Sequence, residues 1–96
     1  MEVLEPAAVD AALAEGVAWQ HERDELIKVH KERDFAGALA FVNKVGALAE
    51  RANHHPDIDI RWNTVTLRLS THSAGGITEA DLRLAKQIDA IDEARD

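Results

Sequence analysis

Residues 54–70 read HHPDIDIRWNTVTLRLS, and from Ile58 onward their apolar positions fall on every second residue. Ile58, Ile60 and Trp62 alternate with Asp59 and Arg61, then Val65, Leu67 and Leu69 alternate with Thr66, Arg68 and Ser70. Successive side chains of a strand point to opposite faces, so this pattern predicts two half-buried strands joined by a turn at Asn63-Thr64. The polar alternates leave one face of the resulting sheet to water or to another element.

Upstream the period changes to that of a helix. Phe35, Ala38, Leu39, Val42, Val45, Ala49 and Ala52 recur at spacings of 3 and 4, and Asp34 is a good N-cap, which predicts a helix from Phe35 to about Asn53. Phe41, Ala40, Ala47 and Leu48 lie off that stripe, and Lys44 is the one charge between Phe35 and Ala49. A helix apolar nearly all round needs cover on its outer side, and helices sharing one face of a sheet do not supply it. The segment 35–52 is therefore expected to form a subunit interface, with Gly37 and Gly46 permitting close backbone approach.

Pro6 at a first helical position and Gly16 just past an end bracket a first helix over Pro6–Glu15, with Val9, Ala12 and Leu13 as its stripe. Trp19–Glu22 and Leu26–Val29 predict two short strands around a turn at Arg23-Asp24, where His21 and His30 read as solvated. After a loop at Ser73–Gly76, Thr78 caps a last helix from Glu79 to about Ala94. Thr78 and Asp81 form a variant capping box, Ile77 and Leu82 a hydrophobic staple, and Leu82, Ala85, Ile88 and Ile91 face inward. The order α-β-β-α-β-β-α predicts an α+β fold: a four-stranded antiparallel sheet with three helices packed on one face.

Ninety-six residues are expected to form one domain over 1–96. The chain is 46% hydrophobic but only 4% aromatic, so its core must be mostly Leu, Ile, Val and Ala. Eighteen acids against 11 bases give a formal charge of -7, which disfavours a nucleic-acid partner or an anionic membrane surface. There is no cysteine for a disulfide or thiolate site. No apolar run suits a membrane span, and MEVLEPAAVD lacks the features of a signal peptide, so a cytoplasmic location is expected.

His54 and His55 fall where the long helix ends, and His72 where the last strand ends. Glu50 precedes His54 by four residues on the same side of the helix, and Asp81 opens the final helix. Imidazole both gives and takes protons near neutrality, and a carboxylate on its far nitrogen fixes the tautomer. Two imidazoles flanking a small molecule could deliver a proton to one atom and remove one from another, as elimination of water requires. Other readings stay open. His54-His55-Pro56 is also a helix-terminating turn, with histidine favoured at the negative helix end. His54, His55, His72 and Glu50 could hold zinc, although adjacent histidines rarely aim at one ion. On spacing alone Asp81 reads as a cap, and Trp62 as packing.

An acid, three residues, His-His-Pro, five residues, an aromatic, nine residues, His and a later Asp is the pattern of the pterin-4a-carbinolamine dehydratase family. This chain resembles it through Glu50, His54-His55-Pro56, Trp62, His72 and Asp81, and through Ser70-Thr71-His72 and Gly76-Ile77-Thr78, over roughly Trp19 to Ile91. His30 and Glu32 depart from it, standing where aromatics are common, as does Ser73, standing where an acid is frequent. The resemblance implies dehydration of 4a-hydroxytetrahydropterin to quinonoid dihydropterin and water, recycling the tetrahydrobiopterin cofactor of aromatic amino-acid hydroxylation, with no metal or organic cofactor. It implies His54 and His72 as the acid–base pair and Glu50 orienting His54. His55 would position the pterin with a share in catalysis open, and Asn53, Ser70, Thr71 and Asp81 would line the binding site. It also implies homodimers or homotetramers. A non-catalytic dimerisation or assembly cofactor on the same fold is the alternative.

Overall fold

The alternating segments pair as two hairpins. In the computed structural model, which describes residues 1–93, β1 (Gln20–Glu22) runs antiparallel to β2 (Glu25–Lys31), and β3 (Asp57–Arg61) to β4 (Thr64–Leu69). β2 then pairs with β4, giving the sheet order β1-β2-β4-β3. The register opposes Leu26 to Leu69, His30 to Val65 and Ile58 to Leu67, so these residues share one face. Helices α1 (Pro6–Ala14), α2 (Phe35–Ala52) and α3 (Glu79–Glu93) cover that face. The fold is thus the α+β arrangement expected. The core joins Leu26, Val65, Leu67 and Leu69 of the sheet to Val9 of α1, to Ala38, Phe41, Val45 and Ala49 of α2, and to Leu82, Ala85 and Ile88 of α3. Burial of this mostly aliphatic surface is the main source of stability.

Several local expectations shift. The second hairpin turns at Trp62-Asn63, one residue earlier than expected. Trp62 takes a left-handed φ of 54°, which lifts it out of the strand alternation and leaves it 67% exposed rather than packed. Asn63 explains the shift: its carbonyl accepts from the Glu32 N–H at 2.8 Å, and its Nδ2 donates to the Glu32 carbonyl at 2.9 Å. Those bonds pin the turn against the end of β2.

Helix α2 begins as the cap predicts, with Asp34 accepting from the Gly37 N–H at 2.8 Å. Its buried stripe is Ala38, Phe41, Val45 and Ala49, so Phe41 points inward while Phe35 and Leu39 are exposed. Spacing alone cannot orient a helix that is apolar on both sides, and sheet packing makes the choice. His30 is buried rather than solvated. Its ring stacks on Phe41 at 3.7 Å and 14°, so it occupies the space as a flat aromatic does, and its Nε2 meets Glu32 at 2.5 Å. His21 also has partners, with Nδ1 on Asp10 at 2.8 Å and Nε2 on the Arg23 carbonyl at 2.9 Å. Leu84 joins the buried face of α3, and the expected helix end at Ala94 lies outside the described residues. Among the described residues no helix is long and apolar enough to cross a membrane.

Candidate active site

The C-terminus of α2 decides where the paired histidines go. Asn53 adopts the left-handed conformation, φ 50° and ψ 43°, which asparagine tolerates better than most residues. The Asn53 N–H donates to the Glu50 carbonyl at 3.2 Å, and the His54 N–H to the Ala49 carbonyl at 3.0 Å. These bonds close the helix and reverse the chain before His54. The four-residue spacing from Glu50 to His54 therefore stops being a neighbour relation, because that rule holds only inside a continuing helix. Glu50 Oε2 instead meets His55 Nε2 at 2.5 Å. The expectation that Glu50 orients His54 is corrected accordingly.

His54 is held from the other end of the chain. Its Nε2 lies 2.5 Å from Asp81 Oδ1, across 27 residues of sequence. The two histidine–carboxylate pairs differ sharply in setting. His54 and Asp81 are 15% and 0% exposed, while His55 and Glu50 are 55% and 79% exposed. An exposed pair is weak and easily screened, whereas a buried carboxylate with its hydrogen bonds satisfied restrains the ring it holds.

Asp81 also keeps its capping role. Its Oδ2 accepts from the Thr78 N–H at 2.9 Å, the half of a capping box in which the third helical residue reaches back to the N-cap, here with aspartate in place of glutamate, while Thr78 Oγ1 caps the Ala80 N–H at 3.2 Å. The same Oδ2 accepts from Thr71 Oγ1 at 2.8 Å. Thr71 bridges to Gly76 across the loop that follows β4, and His72 sits exposed on that loop next to it. β3 and β4 pair antiparallel with Asp57 opposite Arg68, so the His54-His55 turn and the His72 loop leave the same end of the sheet.

The other expected site residues divide. Asn53 is exposed and Ser70 half-buried, so both retain side chains to offer. Thr71 is buried and its hydroxyl is taken by Asp81 and Thr78, so its expected side-chain bond to a pterin gives way to an internal one. His54 also lines a cavity of about 170 Å³ with Ala52, Ala80, Arg83, Leu84 and Gln87. Arg83 and Gln87 were not singled out from the sequence, although Ala80, Leu84 and Gln87 follow helical spacing beside Asp81. Among the described residues no group of three or more metal-ligating side chains is placed to hold an ion.

Residues 2–91 match the family model described as Pterin 4 alpha carbinolamine dehydratase. A relative in Nocardia farcinica, named "Putative pterin-4-alpha-carbinolamine dehydratase", is 48% identical over 94% of this chain and 95% of its own length. One of the same name in Acidobacterium capsulatum is 50% identical over 95% of this chain and 99% of its own. Among solved structures, the transcriptional coactivator/pterin dehydratase from Brucella melitensis superposes with a TM-score of 0.88 at 32% identity, covering 94% of this chain and 98% of that one. A pterin dehydratase-like protein identified as a RuBisCO assembly factor in the alpha-carboxysome superposes with a TM-score of 0.62 at 27% identity, covering 76% and 84%.

Proposed function

Because the chain belongs to the pterin-4a-carbinolamine dehydratase family, we propose that it is a hydro-lyase converting 4a-hydroxytetrahydropterin to quinonoid dihydropterin and water. The observation that carries this reading is the bond from His54 Nε2 to the fully buried Asp81, a histidine–carboxylate pair of the kind used to aim a proton-transfer imidazole. A module that only assembles other proteins has no need of it.

The reaction needs one proton delivered and one removed. His54 and His72 form the acid–base pair. One imidazolium protonates the 4a-hydroxyl, the C4a–O bond breaks and water leaves. The other imidazole takes the N5 proton, and the electrons of that N–H bond form the N5–C4a double bond. His55, tethered by Glu50, positions the pterin, while Asn53 and Ser70 offer hydrogen bonds to its ring. The quinonoid product is the form a reductase returns to the tetrahydro state, which suits a recycling role in the cytoplasm.

The test is the rate of 4a-hydroxytetrahydropterin loss with and without protein, followed by absorbance. Wild type should accelerate the loss, and His54→Ala combined with His72→Ala should abolish the acceleration. Dialysis against a chelator should leave the wild-type rate unchanged, since no metal takes part. Wild type without effect on the substrate ends the dehydratase reading.

The protein is further proposed to act as a homodimer or homotetramer using the outer side of α2. Phe35 and Leu39 are large apolar side chains left exposed there, and an added Cβ at Gly46 meets nothing within 4 Å. Leu39→Asp is expected to leave the far-ultraviolet circular dichroism unchanged and to lower the mass found by sedimentation equilibrium. An unchanged mass removes this face from the interface.

A further inference from the structure

The hydroxyls behind Asp81 form an ordered chain. An ionised carboxylate only accepts hydrogen bonds, so the Thr71 proton, 2.8 Å away, is committed to Asp81 Oδ2. Thr71 Oγ1 also lies 2.7 Å from Thr78 Oγ1. Having already given its one proton, Thr71 accepts there and Thr78 donates. The other acceptor within reach of the Thr78 hydroxyl is Met1 Sδ at 3.0 Å, and a thioether accepts weakly. The order is therefore Thr78 to Thr71 to Asp81. The same accounting settles His54: its Nε2 faces an acceptor and must carry the proton, which leaves Nδ1 as the nitrogen free to exchange one.

We propose that Thr71 is a positioning residue: its hydroxyl, aimed by Thr78, fixes the Asp81 carboxylate so that His54 is locked in its Nε2–H tautomer and works through Nδ1. This rests on the dehydratase reading. The backbone holds Thr71 rigidly. Its N–H donates to the Gly76 carbonyl at 2.9 Å, and its own carbonyl accepts from the N–H groups of Ala74 and Gly75 at 3.0 and 2.9 Å. The Thr71 backbone cannot shift without opening the loop that carries His72. One residue thus references both imidazoles of the pair to a common frame, His54 through Asp81 and His72 through the chain.

Without the Thr71 hydroxyl, Oδ2 keeps only the Thr78 N–H, and rotation of the carboxylate about its broad terminal torsion is opposed by one bond fewer. Thr71→Val keeps the shape and removes the hydroxyl, while Thr71→Ser keeps the hydroxyl. Thr71→Val should lower kcat by about 10- to 10²-fold with KM within about twofold, the size usual for a lost orienting bond. Thr71→Ser should restore most of the rate. An independent readout is the His54 Hε2 proton in NMR, a slowly exchanging downfield resonance expected in wild type and Thr71→Ser and lost in Thr71→Val. If Thr71→Val does not fold, Thr78→Val removes the donor that aims Thr71 and should show the same signature at smaller amplitude. Active wild type together with Thr71→Val at unchanged kcat and an intact Hε2 signal overturns the proposal and spares the dehydratase reading. A raised KM at unchanged kcat also overturns it, since that marks a substrate contact. Inactive wild type in which Thr71→Val still loses the Hε2 signal supports the lock and overturns the dehydratase reading instead.

Discussion

His54→Ala is expected to lower turnover of 4a-hydroxytetrahydropterin by at least about 10²-fold, the lower bound for a positioned acid or base. The effect should fall on kcat, because the ring is held by a buried carboxylate and, in the proposed mechanism, its other nitrogen exchanges the proton. The same change at His55 should act mainly on KM, because its pair with Glu50 lies open to solvent and aims the ring weakly. Removing the His54 ring also strands one Asp81 oxygen in the interior, which should cost about 1–3 kcal/mol of stability. Circular dichroism at the assay temperature therefore has to accompany the kinetics. A folded His54→Ala protein turning over near the wild-type rate removes His54 from the chemistry.

Leu67→Ala should destabilise the fold by about 2–5 kcal/mol, read as a lower urea midpoint at constant slope. Leu67 is fully buried on the central strand β4, opposite Lys28 on β2 and Ile58 on β3, and it packs into the one core the helices share with the sheet. With so few aromatic residues, each buried aliphatic side chain carries a large part of that core. Val29 supplies the contrast. It lies on the uncovered face of β2 and is largely exposed, so Val29→Ala should change stability by no more than about 0.5 kcal/mol. Equal losses at the two positions contradict helices on one face only.

Much of the fold was legible because its signals are local. Alternation over Ile58–Leu69 set two strands, Asp34 and Thr78 set two helix starts, and Pro6 and Gly16 bracketed the first helix. The departures from local pattern share a cause. Phe41 is buried where Phe35 lies exposed, and His30 is stacked rather than solvated, because what packs against each is set by distant parts of the chain. Trp62 left its strand because Asn63 bonds to Glu32, a contact across 31 residues.

The candidate site divides along the same line. Read alone, the chain supplied the list: three histidines, Glu50 and Asp81 at spacings matching one family, together with the order of elements that carries them. Which carboxylate serves which imidazole was decided in three dimensions. Spacing favoured Glu50 for His54, but one left-handed residue, Asn53, turns the chain so that Glu50 meets His55 and the distant Asp81 meets His54. Helical neighbour rules end where the helix ends, and beyond that point side-chain direction depends on sheet register and loop packing, which are properties of the whole chain.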